Sequence, residues 1–182
     1  MKKRRLLLFG GFITFVLIVT VIKICILNLS YKGDDQINLI PDGEKIASLE
    51  ELIQNVEFKN YVLFIDIWGT ACGPCLQEFK FVPELKKNFN NKPVKFIYLA
   101  APYGHTYDEL RWKNMIKKLN LSGYHLLMNM NFYYKVWEHK GINDPFLIPH
   151  YILVDKSGNI NEINALRPSN KKELYDQIER LL

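Results

Sequence analysis

The sequence is poor in residues that build metal sites. Its 182 residues contain only three cysteines and four histidines, and no second cysteine pair follows Cys72 and Cys75. No close pair at helical spacing occurs among the histidines, which are His105, His125, His139 and His150. Because a structural zinc site takes four ligands, usually from two such pairs, these absences argue against zinc. The odd count leaves Cys25 unpaired, and we interpret it as a small buried hydrophobe.

Acidic residues are absent from the first thirty positions. Five of the 24 Lys and Arg residues lie there, which leaves 19 basic against 19 acidic residues in the rest of the chain. These five are Lys2, Lys3, Arg4, Arg5 and Lys23. The formal net charge of +5 therefore describes the N-terminus, and nothing indicates a basic nucleic-acid surface. We expect no nucleic-acid partner.

A long apolar run follows this basic cluster. From Leu6 to Leu27 the only charged residue is Lys23, which can extend its ammonium group to the membrane interface. At about 1.5 Å per helical residue the run can span a hydrocarbon core of about 30 Å. The positive-inside rule predicts a single-pass anchor over residues 1–29 with a cytoplasmic N-terminus. The competing interpretation is a cleaved signal peptide, but residues 24–28 offer no pair of small residues for cleavage.

The rest of the chain predicts a linker over residues 30–44 and one α/β domain over residues 45–182. Polar, turn-forming residues are typical of a linker. Continuous apolar runs predict buried strands at 61–67 and 94–100, joined by a helical segment that Pro83 interrupts in a βαβ unit. A hairpin is predicted from 151–154 and 160–163. Helical patterns cover residues 107–119, 131–139 and 169–182, the last with Ser169 as its cap.

Two cysteines stand between the first buried strand and the helical segment. The run is Trp68-Gly69-Thr70-Ala71-Cys72-Gly73-Pro74-Cys75. Two intervening residues place Cys75 one helical turn from Cys72 on the same face, close enough for a disulfide. Cys72 lies at the predicted helix N-terminus, where backbone N–H groups and the helix dipole stabilise a thiolate. We therefore predict that Cys72 is the nucleophile and that Cys75 resolves the mixed disulfide.

Asp66 is the one charged residue in an otherwise apolar strand. Burying a lone carboxyl group is costly, so its presence indicates a use. Burial would raise its pKa toward the range of a general base. The alternative is an aspartate that is hydrogen-bonded at the strand end.

Five aromatic residues have a spacing that fits helix faces packed on a sheet. We predict that they belong to the core: Trp112, Phe132, Tyr133, Tyr134 and Trp137.

The strand, Trp68, the CGPC motif, the helix and the Ile148-Pro149 step before a strand together resemble thioredoxin. With the membrane anchor and the added segment before the last hairpin, the chain resembles the TlpA and ResA branch of bacterial envelope thioredoxins. The resemblance covers about residues 45–182. It implies a thioredoxin-like fold, with a central mixed sheet flanked by helices, preceded by one N-terminal transmembrane helix.

The resemblance also implies roles for residues around the cysteines. Asp66 would lie beneath them and relay a proton, with Glu78 as the alternative acid. His150 follows the proline step, and it would either favour the Cys72 thiolate when protonated or line the substrate groove. Pro149 would form a cis peptide bond, with a trans proline at the start of the strand as the alternative. The implied substrate surface consists of Trp68, Gly73, Pro74, Ile148 and Pro149.

The function implied is that of a thiol-disulfide oxidoreductase whose only redox group is the Cys72–Cys75 disulfide, with no added cofactor. The Gly73-Pro74 pair resembles reducing members, so the expected substrates are disulfides of exported, cysteine-containing proteins. A membrane electron donor would then recharge a monomeric domain in the periplasm, anchored to the bacterial inner membrane. Ala71, where thioredoxins usually have tryptophan, indicates a different choice of partner. The alternatives are a copper-binding module using Cys72, Cys75 and His150, and a passive docking module.

Overall fold

The computed structural model describes residues 36–182 of the chain. The predicted anchor and residues 30–35 of the predicted linker lie outside these residues. Within residues 36–182 no helix is long and apolar enough to cross a membrane.

Six strands form one mixed sheet. They are β1 (Ile37–Leu39), β2 (Val62–Trp68), β3 (Val94–Ala100), β4 (Gly123–Leu127), β5 (His150–Val154) and β6 (Ile160–Glu162). Their order across the sheet is β1-β4-β3-β2-β5-β6. The first four are mutually parallel, while β5 runs antiparallel to both β2 and β6. The predicted α/β class, the βαβ unit and the hairpin are therefore confirmed.

Helices cover both faces of the sheet. They are α1 (Leu49–Ile53), α2 (Gly73–Glu78), α3 (Val82–Phe89), α4 (Asp108–Lys118), α5 (Met130–Trp137) and α6 (Lys172–Glu179), with 3-10 turns at Gly43–Lys45, Val56–Phe58 and Pro168–Asn170. Pro83 lies in the first turn of α3. Because proline lacks an N–H group, it suits the start of a helix and ends any continuous helix before it. The predicted helical segment is therefore two helices.

The core has two layers because the strands carry apolar residues on both faces. One layer packs α2, α3, α4 and α6 against the face of β2 that carries Phe64 and Trp68. The other packs α1 and α5 against the face that carries Ile65 and Ile67. Every residue of β2 is buried. The strand that leads into the cysteine motif is thus fixed on both sides.

Two strands differ from the sequence-based expectation. Residues 37–39, which we placed in the linker, form the edge strand β1, and its backbone pairs in parallel with β4. The sheet therefore includes residues before position 45. Strand β4 was not predicted, because its five residues include the polar His125, which is completely buried in the structure.

Candidate disulfide active site

Cys72 and Cys75 form a disulfide where β2 leads into α2. Their Cα atoms are 5.3 Å apart. Cys72 is the N-cap of α2, and its Sγ atom accepts a hydrogen bond of 3.1 Å from the backbone N–H of Cys75. Cys72 retains 9% exposure, whereas Cys75 has none. Only Cys72 can therefore be reached by an external sulfur atom.

The Ile148-Pro149 step lies beside this disulfide. Its peptide bond is cis, which confirms what the resemblance implied. The antiparallel pairing of β2 with β5 places His150 opposite Ile67, so the residues just before β5 meet those just after β2. The Sγ atom of Cys72 is 3.7 Å from the carbonyl oxygen of Ile148. An incoming chain that reaches Cys72 must therefore contact this loop.

Asp66 is completely buried on the sheet face that carries α2. Neither of its carboxylate oxygens has a hydrogen-bond partner among the described residues, so the alternative of a hydrogen-bonded aspartate is wrong. Burial, assisted by the charge of Glu78, raises the pKa of Asp66 well above its usual value. Tyr98 and Tyr151 are its register partners on the adjacent strands. The group is therefore kept as a neutral acid under conditions where a surface aspartate is ionised.

Glu78 is a second buried carboxyl group, located at the end of α2. Its two oxygens accept hydrogen bonds from Ser169, one from the backbone N–H at 3.0 Å and one from the hydroxyl at 2.9 Å. The prediction that Ser169 caps the last helix is therefore wrong. That helix begins at Lys172, and Ser169 instead holds the carboxyl group of the last residue of the active-site helix.

His150 is half-buried at the start of β5. Its Nε2 atom lies 2.8 Å from the carbonyl oxygen of Ile163, and its ring contacts Trp137 at a centroid distance of 5.4 Å. Burial lowers the pKa of His150. No group of three or more potential metal ligands comes together within residues 36–182, so the structure does not assemble His150 with the two cysteines in such a group.

The predicted substrate surface is partly corrected. Trp68 is completely buried, with its ring edge-on to Phe79 at 5.1 Å, because the last residue of β2 points beneath α2. Trp68 therefore supports the motif from below and cannot contact a substrate. Gly73 and Pro74 are exposed next to Cys72, as a contact surface requires.

Tyr103 is a site residue that the sequence analysis missed. It lies in the loop between β3 and α4, and its hydroxyl accepts a hydrogen bond of 3.3 Å from the backbone N–H of Ala71. A Cβ atom at Gly69 would overlap this hydroxyl and would lie 3.0 Å from Ile148 Cδ1. Glycine at position 69 thus makes room for Tyr103. An aromatic side chain from another loop is thus held against the backbone at Ala71, the residue directly before the first cysteine.

The sheet order, the disulfide at the start of α2 and the cis proline beside it define the class. The domain is a thioredoxin-like thiol-disulfide oxidoreductase domain. The sequence model of the Redoxin family matches residues 35–178, and the chain belongs to this family.

Curated relatives agree with this assignment. The thiol-disulfide oxidoreductase ResA of Bacillus subtilis is 27% identical over 100 residues, which are 53% of this chain and 54% of the relative. ResA of Bacillus thuringiensis subsp. konkukian is 32% identical over 69 residues, 38% of each chain. These alignments thus span about half or less of the relatives' length. The predicted resemblance to the TlpA and ResA branch is confirmed.

Solved structures give the same fold. A crystal structure of a candidate thiol-disulfide oxidoreductase from Bacteroides vulgatus superposes with a TM-score of 0.54 at 28% identity, over 69% of this chain and 82% of that one. The thioredoxin domain of a second Bacteroides vulgatus oxidoreductase, at 24% identity, also has a TM-score of 0.54, over 68% of this chain and 81% of that one. At that identity the second match supports the fold alone.

Proposed function

We propose that this chain is a disulfide reductase that acts on exported proteins outside the cytoplasmic membrane. The observation that carries the proposal is the asymmetry of the disulfide. Cys72 keeps 9% of its surface accessible beside the Ile148 carbonyl, whereas Cys75, one turn further along α2, has no accessible surface. This arrangement suits one sulfur to attack a substrate and the other to release it.

The reaction proceeds in two exchanges. In the reduced protein the Cys72 thiolate attacks one sulfur of a substrate disulfide, forms a Cys72–substrate disulfide and expels the other substrate sulfur as a thiolate. The thiolate of Cys75 then attacks Cys72 Sγ, which forms the Cys72–Cys75 disulfide and releases the second substrate thiolate. Two electrons pass from the protein dithiol to the substrate, and both substrate sulfurs end as thiols. A dithiol donor in the membrane, reached through the anchored domain, must then reduce the protein again.

Asp66 supplies the proton transfer that the second exchange requires. The Cys75 thiol has no exposed surface, so water cannot readily take its proton. Burial raises the pKa of Asp66, which makes its carboxylate, once ionised, a stronger base than a surface aspartate and suits it to accept this proton. Two hydrogen bonds from Ser169 hold the carboxyl group of Glu78 in place. The charge of Glu78 adds to the effect of burial in raising the pKa of Asp66.

The direction of transfer is tested by the reduction potential. Full-length protein would be equilibrated with glutathione and dithiothreitol buffers, with Cys72→Ser as the control that has no redox pair. A potential near thioredoxin's value of about −270 mV supports a reductase, whereas a value near about −120 mV would mean an oxidant and overturn the proposal. The Gly73-Pro74 pair, typical of reducing members, supports the first outcome.

The location outside the membrane is tested separately. Cys72 in whole cells should react with a membrane-impermeant thiol reagent after mild reduction, because the anchor at residues 1–29 would leave the domain outside. Labelling only after lysis would contradict the proposed orientation. We expect the domain to act as a monomer.

A further inference from the structure

Large apolar side chains are exposed beside the disulfide. Tyr103, Tyr134, Phe146 and Leu147 keep 40, 50, 52 and 57% of their surface accessible. Together with the half-buried Tyr133 they form a surface that we call the aromatic rim. The prediction that Tyr134 belongs to the core is therefore wrong, because Tyr134 faces outward on α5. Tyr133, also on α5, is half-buried and packs against the core, while Trp112, Phe132 and Trp137 are buried as predicted.

The rim is continuous with the proline step. The ring of Trp137 contacts His150 at 5.4 Å and Phe146 at 5.7 Å. Phe146 in turn lies 6.0 Å from both Tyr133 and Tyr134. Each pair is tilted or edge-on, the arrangement that aromatic rings prefer. The contacts thus run without a break from the start of β5 to the outer face of α5.

The rim also reaches the other side of the cysteine motif. A Cβ atom placed at Gly69 would overlap the Tyr103 hydroxyl and would lie 3.0 Å from Ile148 Cδ1, so both side chains lie close to Gly69. The Tyr103 hydroxyl accepts the hydrogen bond from Ala71, directly before Cys72. Tyr103 therefore lies beside the cysteine motif, while Phe146 lies two residues before Ile148 in the loop that precedes β5. A protein segment that reaches Cys72 past the Ile148-Pro149 step therefore passes the rim.

The backbone at Phe146 indicates that this surface is more than incidental packing. Phe146 has a φ of +68°, in the left-handed region that bulky residues rarely adopt. Such positions cost free energy, and they cluster at binding and catalytic sites. Yet more than half of the Phe146 side chain remains exposed. The strained conformation presents an aromatic ring to the solvent instead of burying it.

We propose that the aromatic rim binds an aromatic side chain of the substrate protein, located within a few residues of the cysteine that Cys72 attacks. The proposal rests on the proposed function and names the feature by which substrates are selected. The rim contains no charged side chain. Tyrosine hydroxyls at its border can bond to the backbone of an extended segment, while the rings provide edge and face contacts.

The test compares two peptide substrates. Each heptapeptide carries one cysteine joined to 2-mercaptoethanol as a mixed disulfide, and one has phenylalanine where the other has serine. The cysteine is central, and the phenylalanine is moved through the positions one to three residues from it on either side. Reduced full-length protein should reduce the best aromatic peptide about tenfold faster than its serine counterpart. Equal rates at every position would overturn the proposal.

The decisive variant is Phe146→Asn. Asparagine adopts the left-handed region readily, so the variant should fold at least as stably as the wild type while it removes the ring. It should lose most of the preference for the aromatic peptide, and Tyr134→Ala should lose part of it. Val56→Asn is the matched control, because Val56 is 74% exposed near the opposite end of β2. An undiminished preference in Phe146→Asn would contradict the proposal.

A small disulfide separates this inference from the proposed function. The wild type and the Val56→Asn control should both reduce 2-hydroxyethyl disulfide at the same rate, because this molecule has no aromatic group to bind and therefore reports the redox reaction alone. If the wild type fails to reduce it, the proposed function is wrong. The aromatic rim is then tested by peptide binding alone. The oxidised full-length protein should still bind a fluorescent aromatic peptide with serine in place of cysteine, more tightly than Phe146→Asn does. Equal binding by the two proteins would contradict the proposal that the rim binds an aromatic side chain.

Discussion

Asp66 and Glu78 are two buried carboxyl groups in opposite situations. Ser169 donates two hydrogen bonds to Glu78, whereas Asp66 receives none, and the charge of Glu78 adds to burial in raising the pKa of Asp66. Pairs of acids whose environments differ in this way are typical of sites that assign them separate roles. Asp66 is therefore the group to test first in the release step.

Replacing Asp66 with asparagine should slow the release of substrate. The change keeps the shape but removes the group that accepts the Cys75 proton. We expect the turnover of a disulfide substrate at neutral pH to fall about 100-fold, within the usual range for general base catalysis. The initial attack by Cys72 should be unchanged, which rapid-mixing kinetics would resolve as a normal first phase. A loss confined to the first phase would contradict the role.

The same variant should change how stability depends on pH. In the unfolded chain an aspartate ionises near pH 3.9, but folded Asp66 resists ionisation because its pKa is raised. The unfolded state therefore binds fewer protons above that pH, and the wild type loses stability as pH rises toward the folded pKa. Asp66→Asn should remove this loss. Its advantage in melting temperature should grow from pH 4 to pH 8, and a constant difference would count against burial as the cause.

His125 should produce the opposite trend. It is completely buried in β4, its Nε2 atom is 2.7 Å from the Leu121 carbonyl oxygen, and burial with the nearby Lys86 charge lowers its pKa to about 4. An unfolded histidine takes up a proton near pH 6.5, so the wild type loses stability as pH falls from 6.5 to about 4. The loss is on the order of 3 kcal/mol.

Unfolding by urea across this pH range would test the histidine prediction. His125→Gln retains a donor for the Leu121 carbonyl but does not titrate. It should therefore be less stable than the wild type at pH 7 and should show a much flatter profile below pH 6.5. A variant profile as steep as that of the wild type would mean that other groups cause the acid sensitivity.

The two cysteines should separate cleanly by function. In a Cys25→Ser background, so that the third cysteine forms no disulfide, Cys75→Ser should accumulate a mixed disulfide with a substrate peptide. Cys72→Ser should form almost none, because Cys75 has no exposed surface. Non-reducing electrophoresis after acid quenching measures both. Equal trapping by the two variants would refute the assignment of Cys72 as the attacking residue.

Gly69 should be sensitive to even one added carbon. A Cβ atom there overlaps the Tyr103 hydroxyl, so Gly69→Ala should lower the free energy of unfolding by about 1 kcal/mol, the low end for overpacking, because Tyr103 can swing outward. Adding Tyr103→Phe should restore part of the loss. Gly73→Ala is the matched control, since a Cβ atom at Gly73 meets nothing within 4 Å. If the double variant regains no stability, the overlap with the Tyr103 hydroxyl is not the cause of the loss.

Local patterns explain what could be predicted. Strand β2, the cysteine motif and α2 follow one another in the chain, so apolar runs and the CxxC spacing suffice to place them. The disulfide position of Cys72, the buried Asp66 and the paired hairpin strands all follow from such local signals.

Other features depend on contacts that no local pattern encodes. Strand β1 is paired only because β4 lies beside it, and the apolar sequence pattern of β4 is interrupted by the polar His125. We assigned Trp68 to the substrate surface, but the alternation along β2 places its side chain beneath α2. Tyr103 and Phe146 come from loops 43 residues apart in sequence, and only the fold brings them to one surface.

The outer strands of the sheet also restrict how a partner can bind. Both β1 and β6, the edges of the sheet within residues 36–182, are only three residues long. Short edges offer few unpaired backbone groups, which limits aggregation through strand addition. A client chain therefore gains little by extending the sheet. A client is therefore recognised by side chains and loops. Substitutions there can alter which client binds without disturbing the sheet.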